Sequence, residues 1–207
     1  MPIVTHFRKY LEQYMHDIEP FFKWRDQYVA SLDKKSPFYE RDYDEFTFTN
    51  KIYNYFIHPQ WDDIGSNTLF AKILFTDYSK HFSIIELIGE WNDCIENDIM
   101  TLRQNLLDPL FDQGIYKFIL CMDNVYNFHA DEDDYYMELY ENLSEEEGYL
   151  CLVNSSEHVE NEMARARLQY YIHFGAALND IDWRSKSPNH FYKEVDRIVM
   201  RGTQRLK

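Results

Sequence analysis

Four short apolar runs between Thr68 and Asn154 constrain the fold more than any other feature of this sequence. They have the length and the β-branched or aromatic content of buried strands, and they are Leu69 to Phe75, Phe82 to Ile88, Phe118 to Met122 and Tyr149 to Val153. The first two are joined by a short link, which predicts a hairpin. The later runs are separated by long segments with helical spacing, which is typical of crossover connections. The pattern therefore predicts an α/β fold with a single mixed sheet and helices packed on it.

Helices are predicted in the connections between and after these strands. The first begins near Asn97 or Asp98 and kinks or restarts at Pro109, because proline cannot continue a helix undisturbed. The second follows the acidic segment from Asp131 to Asp134, where carboxylates suit the positive end of the helix dipole. The third runs from about Val159 to Gly175, which has the character of a C-terminal cap.

The flanking segments are predicted to add helices to this core. Two amphipathic stretches indicate N-terminal helices, one from Thr5 to Ile18 and one from Phe21 to Leu32, and Pro188 marks the first turn of a C-terminal helix. The predicted organisation is an N-terminal helical and β extension over residues 1–60, packed on an α/β domain over residues 61–207. The alternative is that the N-terminal helices form a small separate lobe.

Two segments connect the N-terminal helices to the core. The stretch from Tyr43 to Ile57 is rich in Phe, Thr and Tyr and can add strands to the sheet. The stretch from His58 to Ser66 combines proline, glycine and polar residues around Trp61, which predicts a loop. Because such a loop carries an imidazole, an aromatic ring and two carboxylates, His58 and Trp61 are candidate ligand-binding residues. The alternative is a tight turn with Trp61 packed beneath it.

The formal net charge of -15 is concentrated in one part of the chain. Between Trp91 and Leu150 there are 15 Asp and Glu residues against 2 Lys and Arg residues. Such a surface repels phosphate backbones and anionic lipid headgroups, so no nucleic-acid partner and no membrane partner is predicted. A protein partner with a basic surface or a cation suits it better, and a solvated acidic face is the alternative.

The cysteines and the N-terminus indicate a reducing compartment. Cys94, Cys121 and Cys151 are an odd number without metal-ligand spacing, and two of them lie in predicted core strands. The N-terminus has no apolar signal region, and no apolar run approaches the length of a membrane span. These features predict a cytoplasmic protein.

The sequence lacks the usual short motifs of catalysis. It contains no phosphate loop, dinucleotide-binding glycine motif, hydrolase elbow, zincin motif or thiol-redox motif. No catalytic residue and no cofactor is therefore predicted, and a non-enzymatic role is favoured. The cluster of His129, Asp131 and Asp133 could hold a divalent cation, since an imidazole and two carboxylates lie close in sequence. Acidic residues that open a helix need no metal, however, and no metal site is predicted there.

The order of the predicted elements resembles that of the STAS superfamily, the fold of bacterial anti-sigma-factor antagonists. Three short motifs carry the resemblance, each at the end of a predicted strand: Gly89 to Asp93, Asp123 to Val125, and Leu152 to Asn154. The resemblance covers roughly Thr68 to Gly175. It implies a regulatory module that works by binding another protein.

One segment departs from the STAS pattern. Antagonists of that family carry a phosphorylatable Ser or Thr at the start of the second helix, whereas the segment from Phe128 to Asp133 contains no hydroxyl group. The permanent charge of Asp131, Glu132 and Asp133 can reproduce part of the modified state, since an Arg of a partner can pair with it. These three residues and the neighbouring Tyr135 are the predicted partner-binding surface.

Two functions from different classes remain open on the sequence. The favoured one is a cytoplasmic, non-enzymatic interaction or regulatory module with a protein partner, which can also form homo-oligomers. The alternative is a small-molecule-binding or metal-binding protein or an enzyme, with a site built from His58, Trp61, His129 and Asp131.

Overall fold

The computed structural model describes residues 18–44 and 46–204, and a five-stranded sheet lies at its centre. The strands of this sheet are, in spatial order, β3 (Asp62–Asp63), β4 (Leu69–Asp77), β5 (Phe82–Asn92), β6 (Lys117–His129) and β7 (Tyr149–Val153). β3, β4 and β5 pair antiparallel, whereas β5, β6 and β7 pair parallel. A separate hairpin is formed by β1 (Lys51–Ile52) and β2 (Tyr55–Phe56).

The predicted mixed α/β sheet is confirmed. Each of the four apolar runs lies in one strand of the sheet, and the first two form the predicted hairpin. The third run continues well past its apolar part, since β6 ends at His129 rather than at Met122. It continues because the long strand β5 offers hydrogen-bonding partners along its whole length.

The helices fill the connections between the parallel strands and follow the last one. They are α1 (Asp93–Glu96), α2 (Asp98–Leu102), α3 (Asp108–Phe111), α4 (Asp134–Glu145), α5 (Glu157–Arg165) and α6 (Pro188–Gln204). A π-helical turn, Arg103–Leu107, joins α2 to α3, and Pro109 lies in the first turn of α3. The chain stays helical from Asp98 to Phe111, and the wider π-helical turn lies just before Pro109, where the sequence predicts a kink or a restart. Among the helices that the structure describes, none is both long enough and apolar enough to cross a membrane.

Both faces of the sheet are covered by apolar side chains. One face packs against α2, the π-helical turn and α3 to α5, and forms a large cluster with Leu87, Leu120 and Leu152. The other face packs against α6 and includes Ile84 and Cys151. Cover on both faces is what a parallel sheet requires, since its strands are apolar on both sides.

The predicted helix over residues 21–32 is corrected by the structure. This segment forms turns and one 3₁₀ turn, Ala30–Leu32, instead of an amphipathic helix. The rings of Phe21 and Trp24 lie 5.0 Å and 5.7 Å from the ring of Trp183, which is distant in the sequence. Their packing beside the sheet, rather than local periodicity, decides the conformation of this segment. The other predicted N-terminal helix lies outside the described residues apart from its last residue, Ile18.

Three further segments differ in secondary structure from the sequence predictions. The described residues of the Phe-, Thr- and Tyr-rich stretch contribute the separate β1–β2 hairpin and no strand of the main sheet. The predicted loop after it contains β3, which pairs with β4 at the edge of the sheet. α5 ends at Arg165 and not at Gly175, because the following chain turns back and His173 pairs alongside Cys151 of β7.

Gly89 in β5 provides a test of this architecture. Its φ is +126°, and a Cβ atom there would lie 1.9 Å from the carbonyl oxygen of Thr68. We expect Gly89→Ala to lower the free energy of unfolding by about 2 kcal/mol or more, because both the dihedral angle and the backbone contact exclude a side chain. Urea unfolding monitored by circular dichroism measures this change.

Gly202 in α6 supplies the matched control for that substitution. A Cβ atom at Gly202 would meet nothing within 4 Å. Gly202→Ala should therefore raise stability by about 0.5 to 1 kcal/mol, since alanine loses less backbone entropy in a helix. Equal stabilities of the two variants would contradict the described geometry around Gly89.

Candidate functional site: the acidic cleft

A cleft of about 340 Å³ lies between the start of α2 and the start of α4. We call it the acidic cleft, because most of the side chains around it are carboxylates and none of its described lining residues is Lys or Arg. Its lining consists of Asp93, Asn97, Ile99, Asp131, Glu132, Asp134, Tyr135 and Glu138. The end of β5 leads through α1 into α2, and the end of β6 leads into α4, so the cleft lies at the carboxyl edge of these two parallel strands.

The floor of the cleft is the buried carboxylate of Asp93. Its Oδ1 accepts hydrogen bonds from Trp91 Nε1 and from the backbone N–H of Ile99, both at 2.9 Å. Its Oδ2 accepts one from the hydroxyl of Tyr136 at 2.6 Å. Burial raises the pKa of Asp93 to about 6, against the opposing effect of these donors. The carboxylate thus joins β5, α2 and α4 at one point.

A second buried carboxylate, Asp98, stabilises the turn from β5 into α2. Its Oδ2 accepts hydrogen bonds from the backbone N–H of Asn92 at 2.7 Å and from the hydroxyl of Thr68 at 3.3 Å. Burial raises the pKa of Asp98 as well. Asn92 caps α1 with its own side chain, whose Oδ1 accepts from the backbone N–H of Ile95. This local capping turns the chain sharply after β5 and places Asp93 beneath the cleft.

The rim of the cleft is held by Arg103 of the π-helical turn. The guanidinium of Arg103 is buried and donates to the carbonyl oxygen of Tyr135 at 3.1 Å and to Glu138 Oε2 at 2.8 Å. This hydrogen bond with Arg103 lowers the pKa of Glu138. The first turns of α4 are therefore anchored from below, while Asp131, Glu132 and Asp134 are exposed.

Three of the four predicted partner-binding residues line this cleft together. Asp131, Glu132 and Tyr135 are among its lining residues, and the side chain of Tyr135 is exposed. Asp133 is not among them, because its Oδ2 accepts a hydrogen bond from the hydroxyl of Tyr171 at 3.0 Å. The sequence prediction missed Asp93 as part of the site, although the motif that carries the STAS resemblance ends at that residue.

Glu138 and Arg103 were also missed by sequence reasoning. Glu138 lies four residues after Asp134 on α4, a spacing that places both on one helix face and could have indicated its role. Nothing in the sequence indicates that Arg103 contacts α4, because that contact joins residues 35 positions apart.

The residues of the alternative site are divided between two places. His58 is nearly buried, with Nδ1 accepting from the N–H of Gln60 at 3.2 Å, and the indole of the buried Trp61 donates to the carbonyl oxygen of Ile18 at 2.6 Å. In the second place, Nε2 of His129 lies 3.1 Å from Oε1 of Glu90. No described hydrogen bond, ion pair or ring contact joins the two places. Within the described part of the chain, no group of three His, Cys, Asp or Glu residues is arranged to hold a metal ion.

Comparison with known proteins finds similarity at the level of solved structures. No protein-family model and no curated protein matches the sequence. A candidate anti-sigma factor antagonist from Thermotoga maritima is 19% identical with a TM-score of 0.40, over 61% of this chain and 92% of that chain. The anti-sigma factor antagonist SpoIIAA in its unphosphorylated form is 13% identical with a TM-score of 0.38, over 52% of this chain and 89% of that chain.

A third similar structure is the Bacillus cell fate determinant SpoIIAA in its phosphorylated form. It is 11% identical with a TM-score of 0.37, over 62% of this chain and 98% of that chain. At these identities and TM-scores the similarity concerns the fold, and no function is transferred from it.

The raised pKa of Asp93 predicts a specific pH dependence of stability. Its folded pKa of about 6 lies above the ordinary value of 3.8, so the folded state holds the proton more tightly than the unfolded state. The resulting stabilisation is complete below about pH 3.8 and is lost as the pH rises through about 6. We expect the unfolding free energy of the wild type, minus that of Asp93→Asn, to fall by about 2 kcal/mol across this window.

Urea unfolding of both proteins at several pH values measures this difference. Glu86, whose pKa burial also raises to about 6, titrates in both proteins and cancels in the subtraction. A difference that stays constant with pH would show that the pKa of Asp93 is the same in the folded and unfolded states, and a difference that rises with pH would show that Asp93 is ionised in the folded protein throughout this range.

Proposed function

We propose that this protein is a cytoplasmic, non-enzymatic regulatory module that binds a protein partner through the acidic cleft. The observation that carries this proposal is the arrangement of the cleft itself. Asp131, Glu132 and Asp134 are exposed around the buried carboxylate of Asp93, and no cation of the described lining neutralises them. The reducing compartment is supported by the three free cysteines.

The charge of the cleft favours a basic group on the partner. Carboxylates that converge on a partly enclosed space attract a cation more strongly than the same charges spread over a flat surface, because less water screens them. An Arg side chain suits this geometry, since its planar group donates to two carboxylate oxygens at once. Such a group would approach the rim at Asp131 and Glu132.

Tyr135 adds an aromatic ring and a hydroxyl group to the proposed partner-binding surface. It stands at the rim of the cleft with a partly exposed ring, and its backbone is held by Arg103. A tyrosine that is fixed in this way offers apolar area and a hydroxyl group at small entropic cost, which is common at protein interfaces. The cleft and Tyr135 together therefore suit a protein surface with a projecting basic side chain.

Neutral variants of the rim test the proposal. We expect the triple substitution Asp131→Asn, Glu132→Gln and Asp134→Asn to remove at least one protein that the wild type enriches from a native lysate, as quantified by mass spectrometry. Side-chain sizes are nearly unchanged and all three residues are exposed, so the unfolding free energy should change by no more than about 1 kcal/mol. Binding of the purified partner to the wild type should weaken as salt is added.

The far end of α4 provides a matched control with the same change of charge. Glu141, Glu145 and Glu146 are exposed and lie outside the lining of the cleft, so their replacement by glutamine should preserve binding. Equal loss of the partner with both triple variants would show that only overall charge matters, and retention of every partner by the rim variant would overturn the proposal.

A further inference from the structure

A second cavity, of about 190 Å³, lies at the outer edge of β4 and plays no part in the proposed partner binding. We call it the edge cavity. Its polar side chains are Arg25, Tyr28, Ser31, Tyr43, Gln60 and Lys72, and its apolar part includes Phe21, Val29 and Leu74. It thus combines two cationic side chains with hydrocarbon walls inside a strongly acidic protein.

The cavity exists because the edge of the sheet is only partly covered. β3 pairs with two residues of β4, Phe70 and Ala71, and no other described strand continues along that edge. The segment of residues 20–31 passes alongside Lys72, Ile73 and Leu74 without pairing with them as a strand. The pairing of β4 with β5 is also irregular between Ile73 and Phe75. Space therefore remains between the strand edge and the chain that covers it.

Lys72 brings a largely buried ammonium group to this space. Its side chain is 12% exposed, and its Nζ lies 3.1 Å from Asp62 Oδ2 and 3.8 Å from the centre of the Tyr43 ring. Burial lowers the pKa of Lys72, and Asp62 opposes this effect. An ammonium group has three donors, and the described residues offer it one carboxylate and one aromatic face.

Asp62 does not neutralise the positive charge around the cavity. Its fully buried carboxylate also pairs with Arg41 at 3.2 Å and accepts a hydrogen bond from the hydroxyl of Tyr43. Two cations therefore share one carboxylate. Arg25 adds a third positive charge, with Nη2 at 3.4 Å from Gln60 Oε1.

A second carboxylate near Lys72, that of Glu86, binds other groups. Glu86 stands opposite Lys72 in the register of β4 and β5. Its oxygens accept from Arg184 at 2.8 Å and from the backbone N–H of Phe21 at 2.8 Å. The described lining of the edge cavity thus contains two cationic side chains, Arg25 and Lys72, and no carboxylate, so an anion can balance its charge.

We propose that the edge cavity binds a small organic carboxylate, with its carboxylate group between Lys72 and Arg25 and its hydrocarbon part against Phe21, Val29 and Leu74. A water occupies about 30 Å³ in the liquid, so the cavity holds a molecule of about six heavy atoms. An acid of that size matches the mixture of charge and apolar wall, whereas inorganic phosphate would leave the apolar wall without a contact.

The test uses sodium butyrate, with sodium chloride at equal ionic strength as the reference. We expect saturable binding in isothermal titration calorimetry, with a dissociation constant of the order of 1 mM, and an upward shift of the melting temperature by a few degrees at tenfold that concentration. Arg25→Gln should weaken binding by about fivefold or more, and Lys72→Met should reduce it below detection.

Arg197→Gln is the matched control, because Arg197 is exposed on α6 and its replacement changes the net charge equally. It should bind butyrate like the wild type. Arg25 is also exposed, so loss of binding in Arg25→Gln is informative even if Lys72→Met folds poorly. Absence of saturable butyrate binding, equal weakening in Arg25→Gln and Arg197→Gln, or binding of phosphate in place of butyrate would each overturn the proposal.

Discussion

The parallel pairing of β5 with β6 is the constraint on which the rest of this structure depends. Parallel neighbours cannot be joined by a tight turn, so the chain must leave β5, cross one face of the sheet and return. The segment Phe82–Gly89 is buried throughout, and such a strand is stable only with apolar cover on both faces. The helical crossover supplies one cover, and α6 with the aromatic rings of the N-terminal segment supplies the other.

The same topology explains where the two candidate sites lie. The carboxyl ends of parallel strands meet at one edge of a sheet, so the exits of β5 and β6 bring Asp93 and the acidic start of α4 together. At the antiparallel end of the sheet, β3 is too short to cover β4, and Lys72 occupies the incompletely covered edge. The acidic cleft therefore results from the crossover between parallel strands, and the edge cavity results from the shortness of β3.

The acidic cleft was partly predictable from the sequence. The acidic residues at the start of α4 were visible as a helix N-terminus, and three of the four predicted residues do line the cleft. The side chain of Asp133 contacts Tyr171 instead. The direction of a side chain near a helix start depends on the residue at which the helix begins, which the sequence locates only roughly. The anchoring of the site by Asp93 and Arg103 depends on contacts with residues 43 and 35 positions away, which no local pattern records.

The sequence by itself determined the four core strands, their mixed sheet, the helical irregularity next to Pro109 and the helix at Pro188. These features follow from periodicity, proline chemistry and strand propensity, which act between neighbouring residues. Only the tertiary structure decided the conformation of residues 21–32, the formation of β3 and the end of α5 at Arg165. In those places the local preferences are weak, and the free energy of packing against distant residues outweighs them.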